Sequence, residues 1–120
     1  MNKYFSENEL RCKCGCGEYY FNSGTLARLN QVRIEYNKPI TISSGFRCNS
    51  YNIQIGATQT HSSGQAVDIS VNRKNAHKLL KLAFKHGFTG IGVKQHGNNR
   101  FLHLDDIADE NKRPWIWSYK

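Results

Sequence analysis

The eleven residues THSSGQAVDIS, from Thr60 to Ser70, constrain the fold more than any other part of the sequence. Residues 66–71 alternate aliphatic with small or polar side chains, the period of two that is typical of a half-buried strand. Asp68 is therefore expected to point away from the aliphatic face. Gly64 permits a tight turn just before the strand, so His61 on the preceding loop can meet Asp68. The sequence thus predicts a sheet with an aliphatic face and a face that carries a polar site.

A second stretch with this alternation is residues 100–105. His103 and Asp105 share one face of the predicted strand because side chains alternate along a strand. Residues 89–93 predict a further strand, and the turn HGNN at residues 96–99 is typical of a hairpin with a longer loop. His103 and Asp105 can therefore face one cavity.

Two helices complete the prediction. Apolar residues at near-helical spacing predict helices over residues 23–36 and 74–86, and residues 39–43 predict a short strand that delivers the segment Ser44–Arg47. The fold class is therefore α+β, with a small antiparallel sheet flanked by helices. No repeat, linker or shift in composition divides the 120 residues, so we expect a single domain over residues 1–120.

Three separated residues form the candidate metal site. His61, Asp68 and His103 are two imidazoles and a carboxylate, the composition of a catalytic zinc site that keeps a fourth position open for water. Each has an alternative on its own, since a lone surface histidine is more often a non-ligand and a strand aspartate is commonly a turn or cap acceptor. The remaining histidines are expected to be solvated: His77, His86 and His96.

The charge of the chain bears on its partners. A formal net charge of +8 favours nucleic acid, an anionic membrane surface or the acidic polymers of a bacterial envelope. The 17 basic residues are scattered, without a basic run or a nucleic-acid-binding motif. A nucleic-acid-binding domain, with residues 19–21, Trp115 and Trp117 as stacking surfaces, is the weaker alternative. No segment approaches the roughly 20 apolar residues of a membrane span. We therefore expect that the protein does not bind nucleic acid and that no segment of it spans a membrane.

Four cysteines leave three possibilities open. Cys12, Cys14, Cys16 and Cys48 could form a metal knot, one or two disulfides, or neither. The C-x-C-x-C run lacks the C-x-x-C spacing of common structural zinc sites. Buried or loosely paired thiols that join the N-terminal loop to the Cys48 segment are therefore the favoured interpretation, and a zinc knot is the alternative.

The motifs together resemble a known family. His61 to Asp68 match the pattern H-x-x-G-x-A-x-D, with Ser44-Gly-Phe-Arg47 upstream and Phe101-Leu-His103-Leu-Asp105 downstream. Residues 5–17 and 113–115 resemble the beginning and the end of single-domain members. The chain resembles the zinc D-alanyl-D-alanine carboxypeptidases, of the LAS-type group that also holds lysostaphin-type peptidases and the hedgehog signalling domain. The resemblance implies the LAS-type zinc peptidase fold.

The same resemblance implies roles for individual residues. It implies that His61, Asp68 and His103 bind Zn²⁺, and that Arg47 lies near the substrate with Ser44 beside it. A planar, permanently charged guanidinium suits a peptide carboxylate or the oxyanion that develops at the scissile carbonyl. A structural salt bridge is the alternative for Arg47.

At the positions of the general base, this sequence differs from better-known members of the family. Some have a glutamate three residues before the last ligand or a histidine two before it, whereas this chain has Arg100 and Phe101 there. Neither can accept a proton. Asp105 is the candidate, either as the base or as a residue that orients a ligand imidazole. The missing base leaves a catalytically weak, metal-containing wall-binding module as an alternative.

The expected function is zinc-dependent hydrolysis of D-amino-acid-containing stem peptides of peptidoglycan, as a carboxypeptidase or an endopeptidase. No apolar signal segment opens the sequence. We therefore expect a protein made in the cytoplasm that reaches the cell wall as a holin-released phage lysin or in a virion. Nothing in the sequence requires more than a monomer.

Overall fold

A computed structural model of the chain describes residues 4–56 and 60–120. The predicted helices and strands are confirmed, with bounds that differ by at most two residues. Four further elements are present: the helices Glu7–Leu10 and Asn49–Gln54, the 3-10 turn His61–Ser63 and the strand Trp115–Ser118. In chain order the elements are α1 Glu7–Leu10, α2 Ser23–Tyr36, β1 Thr41–Ser44, α3 Asn49–Gln54, a 3-10 turn His61–Ser63, β2 Ala66–Ser70, α4 Arg73–Lys85, β3 Gly90–Lys94, β4 Phe101–Asp105 and β5 Trp115–Ser118.

The five strands form one sheet in the order β1-β2-β4-β3-β5. β1, β2, β4 and β3 pair antiparallel, as predicted. β5 pairs parallel to β3, so the sheet is mixed, and the predicted antiparallel pairing describes the other four strands but not β5. The cause is local: Asp105 at the end of β4 lies opposite Gly90 at the start of β3. A strand that begins there, on the other side of β3, must run parallel to β3.

The hydrophobic core lies between one face of the sheet and the two long helices. The strands contribute alternate residues, as the period of two predicted, and α2 and α4 contribute residues at helical spacing. The buried core residues include Val67, Ile69, Ile91, Leu102 and Leu104 from the sheet and Leu29, Val32, Leu79 and Ala83 from the helices. The polar residues of β2 and β4 therefore lie on the opposite face of the sheet.

The N-terminal helix α1 supports the loop after β1. Ser6 and Glu9 form a reciprocal capping box at its start. At its end, the Leu10 carbonyl accepts a hydrogen bond of 2.7 Å from the Phe46 N–H. Gly45 lies so close to the Leu10 backbone that a Cβ at Gly45 would come within 2.7 Å of it. The segment that carries Arg47 is thus held against α1.

The lengths of the helices test the expectation that no segment spans a membrane. Within residues 4–56 and 60–120, every helix falls short of the length and hydrophobicity needed to cross a membrane.

Candidate active site

The three predicted metal ligands converge on the polar face of the sheet. Ligand atoms of His61, Asp68 and His103 all lie within 4.8 Å of one another. Asp68 Oδ1 is 3.3 Å from His61 Nε2 and 3.0 Å from His103 Nδ1. Both imidazoles are buried, and 9% of Asp68 is exposed, so the cluster is nearly enclosed by protein.

His61 is held by the turn that precedes β2. Gly64 ends this turn at φ +72°, and a Cβ there would come within 2.5 Å of the Tyr20 ring. Glycine is therefore required by both conformation and space. His61 Nδ1 is 2.8 Å from the Gly45 carbonyl oxygen, which can only accept, so Nδ1 carries the proton. The lone pair of Nε2 therefore faces Asp68.

His103 is positioned by strand register. It lies directly opposite Asp68 in the β2–β4 pair, which places the two side chains side by side on one face. Its Nδ1 contacts Asp68, and its Nε2 lies 2.7 Å from Asp105 Oδ2. Burial alone would lower the pKa of His103, but hydrogen bonds to Asp105 and Asp68 outweigh burial and raise it.

Asp105 is fully buried behind His103. Arg113 donates two hydrogen bonds of 2.7 Å to its carboxylate, from Nε to Oδ1 and from Nη2 to Oδ2. Gly90 makes room for the carboxylate, because a Cβ at Gly90 would overlap it. Burial raises the pKa of Asp105, but hydrogen bonds from His103 and Arg113 outweigh burial and lower it to about 2. This geometry favours the predicted orienting role over that of general base, since the carboxylate is weakly basic and already engaged.

Arg47 lies beside the cluster. Its Nη2 is 3.5 Å from Asp68 Oδ2, and its backbone N–H donates a hydrogen bond of 3.2 Å to the His61 carbonyl. This ion pair corresponds to the structural alternative for Arg47, yet the side chain also lines the cleft described next. Ser44 lies opposite Asp68 in the β1–β2 pair but is not among the described residues that line the cleft. Its role in substrate binding stays a prediction.

A cleft of about 1100 Å³ opens over the cluster. The C-terminal strand β5 forms one wall, where the Trp117 ring lies 5.0 Å from the His103 ring. Gly92 makes this possible, because a Cβ there would come within 2.6 Å of the Trp117 indole. The lining residues are Arg47, Ile55, Gly56, Thr60, His61, Ser63, Asp68, Phe101, His103, Ile107, Asp109, Lys112, Arg113, Trp115, Trp117, Ser118 and Tyr119.

Sequence reasoning missed the roles of Arg113 and Trp117. In the sequence, Arg113 belongs only to a C-terminal segment that resembles the end of other family members, and Trp117 is only a candidate stacking surface for nucleic acid. The alternation of aromatic residues in WIWS, residues 115–118, is the signal that could have predicted β5 and hence a wall of the cleft.

The other three histidines lie outside the cluster, and the prediction that they are solvated is confirmed for His77 and His96 but not for His86, which is only partly exposed. His77 is exposed on α4, His86 pairs with Glu35 at 2.6 Å, and the exposed His96 contacts the Tyr119 carbonyl at 3.0 Å. None of these histidines is among the described residues that line the cleft.

Comparisons with known proteins identify the family of the chain. Residues 3–105 match the family described as Peptidase M15. Over 83 residues, or 66% of its length, the chain is 35% identical to the zinc D-Ala-D-Ala carboxypeptidase of Streptomyces albus G. The aligned part covers 31% of that protein, so the chain spans about a third of the length of the relative it matches. The chain belongs to the peptidase M15 family.

Proposed function

We propose that this protein is a zinc metallopeptidase that hydrolyses D-amino-acid-containing stem peptides of peptidoglycan. The observation that carries the proposal is the convergence of His61 Nε2, Asp68 Oδ1 and His103 Nδ1 at the edge of a cleft. Two imidazoles and a carboxylate with one open side form the donor set of a catalytic zinc site.

The donor set fits Zn²⁺ in its distances and in the partners of its imidazoles. Nitrogen and oxygen ligands about 2.0–2.1 Å from a tetrahedral zinc ion lie about 3.3 Å apart, close to the 3.3 Å and 3.0 Å separations from Asp68 Oδ1 to the two imidazoles. The second nitrogen of each imidazole also has a partner, the Gly45 carbonyl for His61 and the Asp105 carboxylate for His103. Such partners orient ligand imidazoles and fix their tautomers.

The chemistry divides between the ion and the chain. Zn²⁺ held there would polarise a peptide carbonyl and make a water molecule acidic enough to act as the nucleophile near neutral pH. Asp105 accepts the Nε2 proton of His103. Nδ1, which contacts Asp68 in the ion-free protein, would lose its own proton to bind the ion. Arg47 offers further N–H donors toward the cleft, which can bind a substrate carboxylate or stabilise charge on the scissile carbonyl oxygen.

The proposed substrate follows from the relative and from charge. The Streptomyces albus G relative is named a zinc D-Ala-D-Ala carboxypeptidase. A net charge of +8 would concentrate the chain at an anionic cell wall. Arg47 and Lys112 line the cleft as cations that suit the carboxylates of a stem peptide. We therefore propose the cell wall as the place of action, reached as a lysin or in a virion. Carboxypeptidase and endopeptidase activity are both compatible with the site.

One observation favours a second candidate function, a wall-binding module with weak catalysis. The carboxylate next to the proposed ligands, Asp105, is fully buried and held by Arg113. Arg100 and Phe101 occupy the positions where some members of the resembled family have a base. A site that binds Zn²⁺ without an efficient base would bind wall peptide and release little product.

The two candidates are separated by measuring zinc content and peptide release on the same samples. Purified wild-type protein and His61→Ala are incubated with peptidoglycan, with and without a chelator, and products are identified by mass spectrometry. His77→Ala serves as the matched control, because His77 is exposed on α4 and lies outside the cleft.

Zinc-dependent fragments from the wild type and His77→Ala, but not from His61→Ala, would support the peptidase, and their masses would identify the bond. Zinc bound through His61 with no fragments would support the wall-binding module. If His61→Ala changes neither the zinc content nor the products, the site proposal is wrong.

A further inference from the structure

A second cluster of ligand-type side chains lies near the N-terminus. The sulfurs of Cys12, Cys14, Cys16 and Cys48 all lie within 4.8 Å of one another, although Cys48 is far from the others in sequence. Gly15, between Cys14 and Cys16, and Gly17, directly after Cys16, adopt positive φ angles of 92° and 79°. Glycine takes such angles readily, so the C-x-C-G-C-G run can turn its three thiols toward one point.

The sulfur separations distinguish a metal site from disulfides. Cys14 Sγ is 3.5 Å from Cys12 Sγ and 3.7 Å from Cys48 Sγ. A disulfide requires about 2.05 Å. Four thiolates about 2.3 Å from a tetrahedral zinc ion lie about 3.8 Å apart. The observed values are close to the edges of such a tetrahedron.

Backbone N–H groups point at three of the sulfurs. Cys48 donates to Cys12 Sγ at 3.3 Å, Glu18 to Cys16 Sγ at 3.4 Å, and Tyr51 to Cys48 Sγ at 3.4 Å. A neutral thiol is a weak acceptor, whereas a metal-bound thiolate carries charge that such donors stabilise. These donors are therefore arranged for thiolates.

We propose that Cys12, Cys14, Cys16 and Cys48 bind a second zinc ion with a structural role. Four sulfur ligands fill the coordination of Zn²⁺ and leave no position for substrate. Binding replaces the four S–H protons, which leave to solvent, and needs no oxidant. The C-x-C-x-C spacing alone favours buried or loosely paired thiols. The positive-φ glycines and the approach of Cys48 bring the four sulfurs together in a way that the spacing does not predict.

The second ion would support the candidate active site. Cys48 directly follows the segment that holds His61 through the Gly45 carbonyl and the Arg47 N–H. Tying Cys48 to the loop of Cys12, Cys14 and Cys16 fixes the far end of this segment. This link to catalysis rests on the proposed function, whereas the cysteine site itself does not.

The test measures zinc per chain by elemental analysis in protein purified under reducing conditions. The variants are His61→Ala and the double variant Cys14→Ser/Cys16→Ser, which changes exposed residues. Lys13→Ser is the matched control, because Lys13 lies exposed between two of the cysteines but carries no sulfur. Cobalt loading of wild-type protein adds an optical probe, since thiolate ligands give charge-transfer absorption and imidazole or carboxylate ligands do not.

We expect two zinc ions per chain in the wild type and in Lys13→Ser, and one in each of the other variants. The charge-transfer absorption should be present in the wild type and His61→Ala and absent from the cysteine variant. If the histidine site fails to bind, the wild type and His61→Ala would both hold one zinc, with the absorption intact. Wild-type cobalt protein without that absorption, or an intact mass lowered by disulfide formation, would overturn the proposal.

Discussion

The histidine–aspartate cluster and the cysteine cluster both gather ligand-type atoms within 4.8 Å, but they differ in surroundings and in donor number. His61, Asp68 and His103 line a large cleft, and two of the three lie on the central strands β2 and β4. The cysteines lie on loops and at the start of α3, outside the described lining of that cleft.

The difference follows the distinction between catalytic and structural zinc sites. Three ligands beside a cleft leave room for a substrate, whereas four thiols complete a tetrahedron. The partners of the ligands differ as well. The imidazoles are oriented by a carbonyl and a carboxylate, and the sulfurs receive backbone N–H donors. One small fold thus offers two environments that suit the same ion for different purposes.

The largest effect on activity is expected from Asp68→Asn. This change removes the negative charge that both imidazoles and Arg47 contact. Because bound zinc contributes several kcal/mol to catalysis, we expect peptide release to fall on the order of 1000-fold. Release is measured on purified muropeptides. The control is Ser70→Ala, an exposed residue on the same strand. A loss smaller than about tenfold would remove Asp68 from the proposed ligand set.

A smaller effect is expected from Asp105→Asn. Asp105 is proposed to orient His103 rather than to bind the ion, and loss of such partners typically costs about 10–100-fold in metal affinity or activity. Zinc titration and peptide release are measured together. Asp106→Asn is the matched control, because the neighbouring Asp106 pairs with Arg28 instead of His103. A loss in catalytic rate at full zinc occupancy, with unchanged affinity, would instead indicate a general base.

The same substitution gives a pH test in chelated protein. The lowered pKa of Asp105, about 2 in the folded protein, means that its carboxylate stabilises the fold above the unfolded pKa. This stabilisation is lost as the pH falls from about 4 toward 2. The difference in melting temperature between wild type and Asp105→Asn should therefore shrink over this interval. A constant difference would show that the charge of Asp105 is not what stabilises the folded protein.

A loss of about tenfold is expected from Arg47→Lys. Lysine keeps the charge but not the planar fork that can hold a carboxylate. We expect kcat/KM to fall while the zinc content stays the same. Arg28→Lys is the control, since Arg28 forms its ion pair with Asp106 away from the ligands. Activity equal to wild type would restrict Arg47 to a structural ion pair.

The smallest effect on activity at room temperature is expected from Cys14→Ser/Cys16→Ser. These cysteines do not line the described part of the cleft, so we expect only a few-fold loss, with a lower melting temperature. Thermal unfolding with and without added zinc measures the second effect. A loss of activity as large as that of Asp68→Asn would contradict the proposal that the cysteine cluster is structural and the histidine–aspartate cluster catalytic.

Much of this fold follows from local patterns. The alternation in residues 66–71 and 100–105 predicted both central strands and the face that carries Asp68 and His103. That these side chains meet depends on the β2–β4 register, which sequence alternation restricts to one face but does not fix by itself. The resemblance to a family implied that His61, Asp68 and His103 form one site. In the structure, ligand atoms of these three residues lie within 4.8 Å of one another.

Other features could not be read from the sequence because they depend on distant contacts. Arg113 reaches Asp105 after a connection without helix or strand, so no periodic pattern marks the pair. Cys48 meets the C-x-C-x-C loop only through tertiary packing, which is why spacing alone favoured unliganded thiols. The parallel direction of β5 depends on β4 ending beside the start of β3, and this position is set only when the sheet is assembled.

The placement of β5 has a consequence for how such peptidases diversify. The family match ends at Asp105, yet eight of the 17 described residues that line the cleft come after it. β5 pairs with a single neighbour, β3, and holds no proposed metal ligand. Mutations can therefore remodel the shape of this wall while the strands that carry Asp68 and His103 stay intact. The shape of the cleft can thus change at the margin of the sheet without a change in any proposed metal ligand.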